Sequence, residues 1–195
     1  MERRFARLAP GTPLPPGASL VPDSGMCLSV FLVLRSPHDP RRVLMGRVNP
    51  EAPWYEVGGL DPGRLERVGR NWMLPSRQLI FFEGPQEAAQ VIAREQLGSE
   101  LPAVLGPSVF SDPSVHPGST ARDPHWDIHF VFDGRWPTAT PPSHRMWREL
   151  AFVEVPTTAR SEIARGQGDV LELIGLVPGP AATEPPSAPG RTRRP

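Results

Sequence analysis

The sequence predicts an α/β domain built on a mixed sheet, and three segments carry that prediction. Residues 27–34 form an apolar run, β-branched and aromatic enough for a central strand. From Pro85 to Leu97 a helix opens on a proline suited to a first turn and stops at Gly98, suited to a C-cap. Residues 126–132 alternate: Trp126, Ile128, Phe130 and Phe132 point one way, and His125, Asp127 and His129 the other. Strands before and after a central helix, with a second helix near the end, make a mixed sheet with helices on its faces.

The 195 residues fit one domain with tails. Pro and Gly number 27 and 18, about twice the usual share, with much of the excess at the two ends. Residues 1–24 are therefore expected as a Pro-rich strap or tail, residues 25–177 as the domain, and residues 178–195 as a disordered Pro/Arg-rich tail. After the first strand, a turn at residues 36–40 leads to a strand over residues 42–48. Residues 49–71 are expected as an inserted loop or hairpin. Residues 79–82 are short and fully apolar, which suits a strand. Residues 104–110 are broken by Gly106 and Pro107 and suit at best an edge strand. Residues 149–155 alternate again. Residues 157–176 suggest a helix in two pieces, divided at Gly166, Gln167 and Gly168.

Composition excludes several chemistries. All 21 basic residues are Arg, so neither a Schiff-base lysine nor a P-loop lysine exists. The 21 acidic residues balance them, which leaves no global basic field for general nucleic-acid binding. A single cysteine, Cys27, rules out an intrachain disulfide framework and multi-Cys zinc sites, and its apolar setting suits a buried thiol. The first 24 residues lack the apolar block of a secretory signal, and no apolar run approaches a membrane span. A cytoplasmic protein without membrane contact is the expectation. An exposed edge strand would allow a homodimer.

The stretch WMLPSRQLIFFEGPQEAAQVIAREQLG, residues 72–98, resembles the box of the Nudix family, G-x5-E-x7-R-E-U-x-E-E-x-G-U, with U an aliphatic residue. Trp72, Pro75, Glu83, Pro85, Ala88, Ala89, Glu95, Leu97 and Gly98 fall in register without a gap. The resemblance implies a Nudix-like α/β/α sandwich with a mixed central sheet. It also implies hydrolysis of nucleoside-linked diphosphates with Mg²⁺ or Mn²⁺ held by helix glutamates. The box from Arg77 to Gly98 is degenerate, however. Ser76 and Arg77 replace the loop glycines, Phe82 the glycine before Glu83, Val91-Ile92 the R-E pair, and Gln96 the second glutamate of the E-E pair. Residues 92, 95 and 96 lie on one side of a helix, so that side offers one carboxylate, one amide and one aliphatic side chain. Mg²⁺ favours near-octahedral oxygen ligands, and one carboxylate holds it poorly.

The candidate catalytic residues, also candidate metal ligands, are Glu95 and Glu83. An alternative metal set is His125, Asp127 and His129, an imidazole–carboxylate–imidazole row suited to Zn²⁺, Mn²⁺ or Fe²⁺. The blander account of that row is a polar strand face meeting water. Candidate ligand-binding residues are Arg77, able to meet a phosphate by paired hydrogen bonds, Trp54 and Tyr55 in the insert, and Asp127 and His129. Packing is the alternative role for Trp54 and Tyr55. Three functions stand open on this basis. The chain binds a small nucleotide-like ligand with little or no hydrolysis; it is an active pyrophosphohydrolase with a rebuilt metal site; or it is a protein-interaction domain.

Overall fold

Strand β2, Met26–Arg35, runs through the middle of the sheet, and its sequence shows why. It pairs in parallel with β6, His125–Arg135, from Met26 opposite Trp126 to Arg35 opposite Arg135. Parallel strands are covered on both faces, which favours continuous apolar runs over alternation. Val30, Leu32 and Leu34 enter one core while Phe31 and Val33 enter another on the opposite face. The structure is a computed structural model. It describes residues 7–8, 26–58, 60, 62–80, 82–101, 107–114, 125–164 and 166–177, with backbone alone at 7, 8, 26, 111–114, 125 and 126. Apart from Arg7 and Leu8, the expected strap and tail lie outside the described residues.

Among those residues, seven strands join in one mixed sheet. The main path runs β5 (Ser108–Ser114), β6, β2, β3 (Arg42–Val48), β7 (Trp147–Glu154). Two short strands also pair with β2: β1, Arg7–Leu8, and β4, Ser76–Gln78. The chain leading into β4 lies between β2 and β3. Gly46 and Met73 exchange both backbone hydrogen bonds on one side (2.8 and 2.9 Å), and the Leu32 amide donates to the Pro75 carbonyl on the other (2.9 Å).

The insert forms two short helices, not a hairpin: α1, Trp54–Gly58, and α2, Pro62–Val68. They close a third apolar cluster around Trp54, Val68, Met73 and Trp147. Helix α3, Pro85–Leu97, covers the first face with Ala88, Ala89, Ile92 and Ala93. It ends as expected on Gly98 in the left-handed region (φ 63°), whose amide bonds back to Arg94 while Ser99 reaches Ala93. On the other face, 3-10 turns at Val155–Thr157 and Arg160–Glu162 precede α4, Gln167–Leu173. The glycines expected to divide a helix instead mark where one begins. Strand β4 lies upstream of the apolar residues 79–82 because Ile80–Glu83 turns away from the sheet: the Glu83 amide donates to the Ile80 carbonyl. Strand β5 is an edge strand, starting at Ser108, past the Gly106-Pro107 break.

Gly46 is required by a close approach. A Cβ there would sit 2.2 Å from the Trp147 indole, which is held edge-on to Trp54 at 4.7 Å between ring centres. Gly46→Ala is therefore expected to lower stability by about 1–3 kcal/mol through overpacking, measured by denaturant unfolding. A change within 0.5 kcal/mol, the usual size of a neutral surface substitution, would contradict that packing.

Candidate functional site

The candidate site is built from the segment between Trp72 and Gly98. Ser76 has a backbone amide and carbonyl that a longer strand would have satisfied. Gln96 on α3 takes that place: its Oε1 accepts from the Ser76 amide (3.1 Å) and its Nε2 donates to the Ser76 carbonyl (2.8 Å). Gln96 is fully buried, and its own carbonyl accepts from the Trp147 indole (2.7 Å). From the other layer, Gln167 of α4 accepts from the Leu74 amide (3.1 Å) and donates to the Ser76 hydroxyl (3.3 Å). The sequence marked Gln167 only as part of a helix break, and neither glutamine was expected to hold Ser76. The signal for Gln96 was an amide at the position where the box has a glutamate.

Arg77 is not an exposed loop residue. It lies in β4 opposite Val30, on the α3 face, and its side chain is wholly buried in an ion pair with Glu83. Glu83 also accepts from the Ile80 amide (3.3 Å), which closes the Ile80–Glu83 turn. Phe82, in that turn, has φ 66°, a conformation usual for glycine, and its side chain is fully exposed. Glu95 is half-buried on α3, next to Gln96. Ile92 is fully buried in the first core.

The remaining candidates are scattered. Trp54 is 1% exposed in the third cluster, with its indole N–H donated to the Asn49 carbonyl (3.1 Å), whereas Tyr55 is exposed. The row of His125, Asp127 and His129 does not simply face water. His129 is buried, edge-on to Phe31 at 5.2 Å, and Asp127 is half-buried. The His125 side chain is outside the description.

The donor set can be tested against a divalent cation. The resemblance places ligands at residues 92, 95 and 96. The structure offers there a buried aliphatic, one carboxylate, and a carboxamide with both its atoms committed to Ser76. The Glu83 carboxylate already faces a guanidinium. Among the described residues, no three His, Cys, Asp or Glu side chains come together in a way that could hold a metal. These residues do not fit the ion, because hard cations need several converging oxygens.

No protein-family model and no curated protein matches this chain. Solved structures do resemble it. A MutT Nudix hydrolase from Burkholderia pseudomallei is 13% identical, over 75% of this chain and 96% of that one, with a TM-score of 0.49. The Nudix domain of NrtR from Shewanella oneidensis, solved with ADP-ribose, is 15% identical over 76% and 86%, with a TM-score of 0.48. The Nudix hydrolase RenU from M. smegmatis is 20% identical over 79% and 89%, with a TM-score of 0.45. Likeness at these identities concerns architecture alone. The class the fold defines is α/β, a mixed sheet between helices, and no helix among the described residues is long and apolar enough to cross a membrane.

Two predictions follow from the packing around α3. Arg77→Met leaves Glu83 with its carboxylate nine-tenths covered and without its cation, so stability should fall by about 3–5 kcal/mol at neutral pH. Denaturant unfolding measures this, and a loss below 1 kcal/mol would show that the pair is dispensable. His144 packs against Gly98, and burial, then the charge of Arg145, pulls its pKa below the ordinary 6.5. The folded chain thus holds this imidazole neutral where the unfolded chain begins to protonate it. Its contribution is complete above pH 6.5 and is lost as pH falls through the folded value. Unfolding curves from pH 8 to 5 should decline less steeply for His144→Gln than for wild type; identical slopes would rule the residue out.

Proposed function

We propose that this chain is a Nudix-like domain that binds a nucleoside-diphosphate-linked small molecule without metal-dependent hydrolysis. One observation carries the reading: Gln96, where the resemblance expects a metal-binding glutamate, is fully buried and spends its carboxamide on both backbone groups of Ser76. A glutamate there could accept from the Ser76 amide but, when ionised, could not donate to its carbonyl. The position serves loop geometry in place of coordination. Ile92, buried in the core, removes a second ligand position, and the Arg77–Glu83 pair occupies the carboxylate at the start of the helix. Hydrolysis in this family style needs a cation to neutralise charge and activate water, and the described residues offer little with which to hold one.

The binding half of the reading is supported by the loop–helix frame itself. Its register is intact, and it is held by buried polar groups whose net gain over an apolar core is small. Such groups specify a shape more than they add stability. A chain keeping the fold only as a scaffold would have no need of the shape.

Thermal unfolding with ADP-ribose, NADH and nucleoside triphosphates, each with and without Mg²⁺ or Mn²⁺, tests the proposal. Stabilisation by at least one ligand, unaffected by metal and by Glu95→Gln, is expected; at about 100 times Kd it amounts to about 2.7 kcal/mol. Turnover of any of these compounds at about 1 s⁻¹ or faster, lost in Glu95→Gln, would establish a working hydrolase instead.

A further inference from the structure

The formal charges of the chain cancel, 21 arginines against 21 acidic residues, but they are not evenly spread. Arg35, Arg41, Arg77 and Arg160 each pair with a carboxylate inside the fold. Where the insert packs on the start of β7, that balance fails. Arg67 on α2, Arg70 just after it, Arg145 just before β7 and Arg148 on β7 are all exposed. None of these four forms an ion pair with a carboxylate among the described residues. They meet at one corner. Arg148 donates to the Gly69 carbonyl (3.5 Å), next to Arg70. Gly69 lies beside Val48, which is opposite Trp147 across β3 and β7. The Asn49 side chain donates to the Arg145 carbonyl (3.0 Å). Of the nearby carboxylates Glu149 faces Arg47 (3.6 Å), which leaves Glu51 and Glu66 against four guanidiniums. Burial, then the charge of Arg145, pulls the His144 pKa down, as a cation lacking a counter-ion should.

We infer that this arginine corner is a docking surface for single-stranded nucleic acid, held through its phosphates. The corner uses none of the residues of the box and stands independently of the small-ligand reading above. Guanidinium forks meet phosphate oxygens in pairs of hydrogen bonds, and their weak hydration keeps the cost of contact low. A local patch suits a chain without net charge, because salt confines its field to about 8–10 Å. An exposed aromatic ring stacks on a base only where the base is unpaired, which selects a single strand over a duplex. Tyr55 on α1, 64% exposed, offers that ring. Its neighbour Trp54 donates to the Asn49 carbonyl (3.1 Å), and Asn49 is the residue that holds Arg145. Thus α1 and the corner share one anchor. Stacking also separates this partner from an acidic peptide, which brings charge but no bases.

Fluorescence anisotropy of the full chain with a labelled oligothymidylate of about 12 nucleotides tests this between about 50 and 200 mM salt. With four phosphates neutralised, log K should fall against log salt with a slope of about −2.8, a loss of about fiftyfold over that range. Arg67→Gln with Arg70→Gln, and Arg145→Gln with Arg148→Gln, should each halve the slope to about −1.4. All four side chains are exposed, so melting temperatures should stay within about 2 °C of wild type. Tyr55→Ala should weaken binding about tenfold and leave the slope unchanged. The wild-type slope is a readout that holds even where a variant folds poorly. No binding at about 50 mM salt, a wild-type slope shallower than about −1, or a wild-type slope in both arginine variants overturns the surface. Poly-glutamate of matched length that competes equally, or a Tyr55→Ala protein that binds as wild type does, assigns the corner to an acidic protein and overturns the nucleic-acid partner. Excess ADP-ribose should leave the binding unchanged. Displacement would put the strand in the small-ligand site, overturning the corner while leaving the reading of that site standing.

Discussion

The residues from Met73 to Leu79 run between β2 and β3 and are buried for most of their length, so every backbone amide and carbonyl there must find a partner inside the protein. Neighbouring strands supply some of these partners, at Leu28, Leu32 and Gly46. Two glutamines, one from each helical layer, supply others, and the Ser76 hydroxyl donates to the Leu74 carbonyl (3.1 Å). Gln96 reaches Ser76 from α3, and Gln167 reaches Leu74 and the Ser76 hydroxyl from α4. The segment is thereby clamped through the sheet from both sides, and the ion pair of Arg77 with Glu83 hangs the following turn on the same strand. An unpaired buried backbone group costs about 1–3 kcal/mol, so removing either clamp would be felt along the whole segment.

This constraint makes the residue type at position 96 specific. A carboxylate at position 96 would leave the Ser76 carbonyl without a donor, whereas a carboxamide satisfies both atoms at once. On the same helix, Ile92 is fully buried in the core beside Ala88 and Ala89. Trp147 completes the arrangement by donating to the Gln96 carbonyl, which ties β7 and the insert's Trp54 to the same helix. A carboxylate placed at position 92 or 96 would therefore disturb packing or hydrogen bonding, because Ile92 fills the core and Gln96 holds Ser76.

Much of the architecture was legible because it follows from period and punctuation. The apolar run of β2, the Pro85-to-Gly98 helix and the alternation of β6 each map onto one element with its ends nearly in place. Elements set by tertiary pairing were less legible. Residues 79–82 look more like a strand than Ser76–Gln78 does, yet β4 forms where β2 offers a free edge, and Ile80 to Glu83 turns because Glu83 bonds back to Ile80. The insert hid its two helices because each is too short to show a period, and both depend on packing around Trp54. At the candidate site, residue types alone showed one carboxylate, one amide and one aliphatic side chain at positions 95, 96 and 92. The partners of those residues could not be read that way. Arg77 was read as a candidate phosphate ligand, and only the placement of β4 beneath α3 explains its burial against Glu83.

The two faces of the central strands divide polar work in a way that sequence alternation foreshadows. Arg77 and Val30 face α3, so the one buried cation of β4 is spent within the protein, against Glu83. Ser29 and Gln78, one residue away on each strand, face the opposite side and carry no formal charge. A shift of register by a single residue would exchange these sets and place a guanidinium in the neutral row while stranding Glu83, which costs far more than the pairing energy of a three-residue strand. The ion pair thus acts as a register lock for β4. Its net contribution to stability can be small while its contribution to geometry is large, since the alternatives it excludes leave a buried charge alone. By fixing which side chains of β2 and β4 share a face, that lock also keeps Ser29 and Gln78 together on the side away from α3.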